Sequence, residues 1–160
     1  MTSRVGLGFD SHGFSLDPTR PLVLGGVNIE GSRGLAGHSD GDVVAHALAD
    51  ATLGAAALGD IGEHFPDTDP TWSGADSVAI LARVTAMVAE AGWRPVNADC
   101  TVVLETPMLA PYRDRLVDRL GEVLDAPVSV KAKRPEALGS FGPGEGIACL
   151  AVILLESRER

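Results

Sequence analysis

Asp10 and His12 stand two positions apart, and with His46 they form the residue set in this chain best suited to chemistry. The pair adjoins an apolar stretch, Arg4 to Phe9, that reads as a strand. Side chains at i and i+2 of a strand project from the same face, so one carboxylate and one imidazole point the same way. His46 falls in a helix-like segment opened by Ser39-Asp40-Gly41-Asp42. Two imidazoles and one carboxylate suit zinc or a similar divalent ion. Three protein ligands leave a coordination position open, which is where chemistry takes place.

Three of the chain's four histidines, His12, His38 and His46, fall in this early region, with Asp10, Asp40, Asp42 and Asp50 beside them. Asp50 lies one helical turn after His46. There it can accept the second ring N–H and set the tautomer, or stand on a solvated helix face.

Three further segments carry polar chemistry. Gly59-Asp60-Ile61-Gly62 with Phe65-Pro66-Asp67-Thr68-Asp69 offers backbone amides and short polar side chains on turns, suited to hydroxyls or phosphates; on composition alone it is a connecting loop. The stretch from Glu105 to Pro111 joins a strand to a helix and can grip a base or a phosphate through its backbone, or simply connect. Lys131-Ala132-Lys133-Arg134-Pro135-Glu136 places three positive charges at a strand end in an acidic chain, either to attract an anionic ligand or as a solvated turn. Arginine grips phosphate with two donors, and Glu136 can hold a hard ion such as magnesium. The chain has no Walker loop or Rossmann fingerprint.

The elements that must position these groups follow from periodicity. Val5, Leu7 and Phe9 alternate with Gly6 and Gly8, a strand with one bare face that permits close backbone approach. Pro21 to Ile29, broken by Gly25-Gly26, reads as two short strands around a turn. A first helix is expected from about Asp40 to Leu58, capped by Ser39 or Asp40 and favoured by Asp42, with Val43, Ala47, Ala51, Gly54 and Leu58 on one face. Gly59 to Trp72 reads as loop. A second helix starts at Ser73 or Asp76, keeps Ile80, Leu81, Val84, Met87, Val88 and Ala91 at helical spacing, and ends at Gly92. Val96 to Leu104 is a strand, a third helix begins near Pro111 with Tyr112, Leu116, Leu120, Val123 and Leu124 as its stripe, Val128 to Lys131 alternates as a strand, and Ile147 to Glu156 is apolar enough to be central. Strands and helices mix without strict alternation. The expected fold is therefore a single α/β domain of the α+β type over residues 1–160, a mixed sheet with its helices on one face.

The 160 residues suffice for one domain with a real core. A net charge of −9, from 13 basic and 22 acidic side chains, argues against nucleic acid as a partner. It does not exclude an anionic small molecule, because bound metal ions invert the local field. Cys100 and Cys149 lie in strand-like apolar runs and read as buried, reduced thiols. The N-terminus lacks the apolar core of a signal peptide, and the longest apolar run, Ile147 to Leu155, is too short to cross a bilayer. These features predict a soluble cytoplasmic protein.

Five motifs in order, Gly8-Phe9-Asp10-Ser11-His12, Gly37-His38-Ser39-Asp40-Gly41-Asp42, Leu58-Gly59-Asp60-Ile61-Gly62, Phe65-Pro66-Asp67-Thr68-Asp69-Pro70 and Gly144-Glu145-Gly146-Ile147-Ala148, resemble the 2-C-methyl-D-erythritol 2,4-cyclodiphosphate synthases of the non-mevalonate isoprenoid route. The resemblance covers essentially the whole chain. It implies a homotrimer with active sites between subunits. The implied reaction is a metal-assisted lyase step: the 2-phosphate of 4-diphosphocytidyl-2-C-methyl-D-erythritol 2-phosphate attacks the β-phosphorus, an eight-membered cyclic diphosphate forms, and CMP leaves.

By motif position, the resemblance implies that Asp10, His12 and His46 hold a zinc-like ion and that Glu136 carries a second ion, magnesium or manganese. His38 and Ser39 would face the substrate, His38 stabilising the transition state. Asp60, Ile61 and Gly62, with Phe65, Pro66, Asp67, Thr68 and Asp69, would hold the erythritol part. Leu104, Pro107, Met108, Leu109 and Ala110 would hold the cytidine, and Lys133 and Arg134 would lie at the phosphates. The chain departs from the family pattern at three places. Lys133, Arg134 and Pro135 stand where threonines are common, so Arg134 is expected to take over a transition-state role. Pro143 stands where an arginine helps bind an anion in the trimer's channel, and Met108 replaces a frequent lysine. Two other classes fit the same ligands: a metal-dependent phosphatase or phosphodiesterase, and a non-catalytic trimeric module with structural zinc.

Overall fold

The computed structural model describes residues 2–141 and 144–158; Pro143 lies outside them. Strand β1 (Ser3–Gly13) pairs along its whole length with β6 (Gly146–Ser157), from Ser3 opposite Glu156 to Gly13 opposite Gly146. The apolar alternation ends at Phe9, but ladder hydrogen bonds continue to Gly13, so Asp10 and His12 lie within the strand and not after it. Strand β4 (Trp93–Val103) runs antiparallel to β6, and β5 (Val128–Lys133) runs parallel to β4. The four-stranded order is β1-β6-β4-β5. The apolar β6 is thus an inner strand, as its sequence predicts. A register shift in β4 falls between Pro95 and Asn97, next to a residue with no amide to give the ladder. Strands β2 (Leu22–Leu24) and β3 (Val27–Ile29) form a separate hairpin. Its two-residue turn is Gly25-Gly26, both at positive φ, as a turn of that length requires.

Helix α1 (Val43–Ala56) is shorter at both ends than its pattern predicts. Neither Ser39 nor Asp40 caps it. Asp42 does, accepting from the amides of Val44 and Ala45. The same carboxylate accepts from Gly25 N at 2.8 Å and Gly26 N at 2.7 Å, tying the hairpin turn to the helix start. Burial pushes the Asp42 carboxyl up to about 6, against the pull of these amides from Ala45, Gly26 and Gly25. Helix α2 (Ile61–His64) and a 3₁₀ turn at Pro70–Trp72 occupy the stretch read as loop. Each is a single turn, too short for periodicity to reveal. Helix α3 (Ser77–Glu90) is capped by Asp76. A 3₁₀ turn at Ala110–Tyr112 precedes α4 (Arg113–Leu124), which buries Leu116, Leu120 and Leu124.

The two faces of the main sheet differ sharply. The helix side is closed by Ala98, Cys100 and Val102 of β4 and by Cys149, Ala151, Ile153 and Leu155 of β6, all buried. Cys100 and Cys149 are free thiols, as expected, and contact with Cys100 together with burial pushes the Cys149 thiol up, so it stays protonated. The other side carries no helix among the described residues. There Val5, Leu7 and Phe9 are 68%, 67% and 56% exposed, opposite Leu154, Val152 and Leu150 in the ladder. No helix among the described residues is long and apolar enough to cross a membrane.

Candidate metal centre and active-site cleft

Strand β1 meets α1 through its glycines. A Cβ on Gly6 would lie 1.9 Å from the Ala51 carbonyl oxygen, and one on Gly8 would lie 1.9 Å from that of Ala47. Only bare strand backbone permits this approach. Ala47, Ala51 and Ala55 supply the small helix face. Gly54 and Leu58, placed on that face by spacing, do not belong to it: Gly54 is exposed and Leu58 lies beyond the helix end. The close contact sets His46, one residue before Ala47, against Asp10, two residues after Gly8.

Asp10 Oδ2 lies 3.0 Å from His46 Nδ1 and 3.0 Å from His12 Nε2. The three donor atoms lie within 4.8 Å of one another, the single such group among the described residues. One carboxylate oxygen and two imidazole nitrogens, converging on one point and partly open to solvent, fit a divalent ion. Burial disfavours charge on Asp10, but hydrogen bonds from His12 and His46 outweigh it and hold the carboxyl well below its ordinary range. The Asp10 hydrogen bond raises His12 against an opposing effect of burial.

Behind the triad is a second set of contacts. His46 Nε2 lies 2.8 Å from Ser77 Oγ and 3.1 Å from Ser39 Oγ. Asp50 is not the partner of His46; its Oδ1 accepts from Ile61 N at 3.2 Å and fixes the start of α2 instead. Residues four apart on a helix are near enough to meet, but the ring of His46 turns toward α3 and Asp10. Arg20 also enters here, unanticipated from sequence. Its Nη2 donates to the carbonyls of Gly37, at 3.2 Å, and Ser39, and so clamps both sides of His38.

The triad forms one end of a cleft of about 510 Å³ lined also by His38, Ser39, Ile61, Gly62, Phe65, Pro66 and Asp67. These are the residues that motif position assigns to the substrate. Trp72 and Ile80 complete the wall, and Phe65 meets Trp72 edge-on at 4.9 Å. Trp72 escaped sequence reading because its stretch looked like plain loop, and Ile80 because helical spacing marked it only as core. Asp60 and Asp69 do not line the cleft. Asp60 accepts from Glu63 N and Asp69 from Thr71 N, so each caps the short turn that follows. Thr68 is exposed outside the lining.

A second cleft of about 150 Å³ gathers Leu104, Pro107, Met108, Leu109, Ala110, Lys133 and Arg134. It shares no lining residue with the first. Within one chain, therefore, the structure does not unite the two halves of the expected site. Glu136 lies in neither lining, exposed and at positive φ. Lys131 pairs with Asp99 across β4 and β5, which removes it from the expected cationic cluster. Lys133 and Arg134 remain exposed at the strand end.

The fold and the site together define a small α+β protein in which two histidines and one carboxylate, placed to hold a metal ion, line a partly apolar cleft. A model of the YgbB family matches residues 3–156, and the chain belongs to that family. The 2-C-methyl-D-erythritol 2,4-cyclodiphosphate synthase of Symbiobacterium thermophilum is 54% identical over 96% of this chain and 99% of its own length. The bifunctional IspDF of Campylobacter jejuni superposes with a TM-score of 0.93 at 40% identity, covering 99% of this chain and 43% of that one. The IspF of Plasmodium falciparum in complex with CDP gives a TM-score of 0.84 at 32% identity, covering 98% of this chain and 97% of that one.

Proposed function

We propose that this protein is a cyclodiphosphate synthase that converts 4-diphosphocytidyl-2-C-methyl-D-erythritol 2-phosphate to 2-C-methyl-D-erythritol 2,4-cyclodiphosphate and CMP. The observation that carries this reading is the convergence of Asp10, His12 and His46 at one end of a cleft walled by the family's substrate motifs. The reaction forms a bond from a 2-phosphate oxygen to the β-phosphorus and breaks the bond from that phosphorus to the bridging oxygen, which leaves with CMP. The nucleophile belongs to the substrate, so the protein needs no nucleophile of its own. Its task is orientation and charge neutralisation.

Each part of the site has a task in that scheme. Asp10, His12 and His46 would hold a zinc-type ion, and Glu136 a magnesium or manganese ion, which supply the positive charge that lets two phosphates approach. His38 and Ser39 face the reacting phosphates from the clamped loop. Ile61, Gly62 and Asp67 lie along the cleft where hydroxyls of the erythritol part would bind. Phe65, Trp72 and Ile80 exclude water and strengthen the electrostatics of the site. Leu104, Pro107, Met108, Leu109 and Ala110 hold the cytidine, largely through backbone. Lys133 and Arg134 contribute the cationic donors on the phosphate side, with Arg134 in the place of the family threonine.

The active form is a homotrimer with each site completed by a neighbour. Two features support this. The apolar side of the sheet, with Val5, Leu7, Phe9, Leu150 and Val152 exposed, is a surface that monomeric proteins avoid. The metal-side and cytidine-side clefts also lie apart within one chain. We place the protein in the cytoplasm as one domain over residues 1–160. The deciding experiment is phosphorus NMR of the products with magnesium, with and without zinc. The cyclic diphosphate and CMP are expected in equal amounts; inorganic phosphate or a linear product would make the protein a phosphatase or phosphodiesterase.

A further inference from the structure

His46 has two ring nitrogens, and the metal centre uses only Nδ1. The other, Nε2, faces Ser77 Oγ at 2.8 Å. Ser77 is the first residue of α3 and is fully buried. Its hydroxyl also makes a short hydrogen bond to Asp40 Oδ1. Asp40 further accepts from Asp42 N at 3.1 Å through Oδ1 and from Ser77 N at 3.1 Å through Oδ2. The α3 helix does not need the Ser77 hydroxyl as a cap, because Asp76 already accepts from Val78 N and Ala79 N.

The direction of the hydrogen bonds follows from the donor inventory. An ionised carboxylate only accepts, and a hydroxyl has one proton and two lone pairs. The Ser77 proton therefore goes to Asp40, and toward His46 the Ser77 oxygen can only accept. Nε2 of His46 must therefore carry a proton. Ser39 Oγ, 3.1 Å from the same nitrogen and 3.3 Å from Ser77 Oγ, is compatible: it accepts from Nε2 and can give its own proton to Ser77. Nδ1 is then the nitrogen left to the ion, on the side of Asp10: without an ion a proton there donates to the carboxylate at 3.0 Å, and with one the lone pair takes its place.

We propose that Asp40 and Ser77 are positioning residues of the metal centre, a carboxylate–hydroxyl–imidazole relay that keeps the His46 ring proton on Nε2 and so presents Nδ1 to the ion. The inference rests on the reading of Asp10, His12 and His46 as the ion-holding set. Partners behind metal ligands fix ring orientation and raise ligand basicity. Here the relay reaches the ligand from a different helix, so the docking of α3 sets the affinity of a site on β1 and α1.

Two measurements test it on the whole protein. The first is nitrogen-15 histidine NMR of the zinc-loaded wild type, where His46 is expected to bind the ion through Nδ1 and to keep its proton on Nε2. The second is zinc affinity by competition with a chelator. Ser77→Ala is expected to weaken zinc binding about 10- to 100-fold, while Ser77→Thr, which keeps the hydroxyl, recovers most of it. Zinc bound at Nε2, with the ring proton on Nδ1, overturns the proposal whether or not any variant folds. So does unchanged zinc affinity in a folded Ser77→Ala, the result expected if Ser77 merely fastens α3. Failure of the wild type to bind zinc, manganese or magnesium at all would instead overturn the reading of the triad itself.

Discussion

Gly8 and Ala47 are in such close backbone contact that a single Cβ on Gly8 would sit 1.9 Å from the Ala47 carbonyl oxygen, and 2.7 Å from Ala51 N. His46 adjoins one of these residues and Asp10 lies near the other, so the same contact sets the spacing of the candidate metal ligands. Gly8→Ala must push α1 away from β1. Overpacking of this kind costs roughly 1–3 kcal/mol, and a misplacement near 1 Å at a reacting centre costs about 100-fold in rate. Turnover and zinc affinity are expected to fall together, out of proportion to the loss of thermal stability. Wild-type kinetics in Gly8→Ala would show that the helix can shift without moving His46.

The Asp10–His12 pair predicts a pH dependence for the metal-free protein. Asp10 is held below its ordinary 3.8, so its contribution is present above that value and is lost as pH falls through its lower folded value. His12 is raised above 6.5, so its contribution is full below that value and is lost as pH rises through its higher folded value. The pair therefore stabilises most between 3.8 and 6.5. Thermal melts across pH, wild type against His12→Gln, are expected to differ most in that window, with the gap closing on the alkaline side. A gap that widens with alkalinity would mean that the two side chains do not pair.

Arg134 is exposed just past the end of β5, and among the described residues its side chain makes no hydrogen bond or ion pair. Arg134→Ala should leave the melting temperature nearly unchanged, as surface substitutions usually do. Loss of a charged hydrogen bond to phosphate should lower kcat/KM by about 10- to 100-fold. Arg134→Thr, which supplies the family's hydroxyl, should retain more activity than Arg134→Ala. Equal activity in all three forms would remove Arg134 from the site.

The open sheet face predicts the response to a buried charge. Leu7→Asp places a carboxylate among Phe9, Leu150 and Val152, where an unpaired charge in an interface costs about 3–5 kcal/mol. Sedimentation is expected to show smaller species than the proposed trimer, and activity to fall with them, because on that proposal each site is shared between subunits. A Leu7→Asp protein with unchanged mass and rate would show that this face is not the interface.

Much of the architecture was legible in local spacing. Alternating glycine in β1 marked a bare strand face, the Asp10 and His12 spacing placed both ligands on one side, and the Leu116, Leu120 and Leu124 stripe marked α4. The ends of elements were less legible. β1 continues through Asp-Ser-His-Gly because β6 supplies hydrogen bonds along it, which no propensity of those residues foretells. α1 starts at Val43 because the Asp42 carboxylate turns to the helix amides, although Ser39 and Asp40 have equally suitable side chains.

The chain alone thus determined which residue types were available and, through periods of two and of three to four residues, which of them share a face. Only the tertiary structure decided which faces meet. The 3.0 Å approach of His46 to Asp10, the turn of its ring toward Ser77, and the loss of Asp50 to the Ile61 amide each join residues 11 to 36 positions apart. Such contacts depend on how closely two backbones pack, and that distance is set by every side chain between them, not by the sequence at either end.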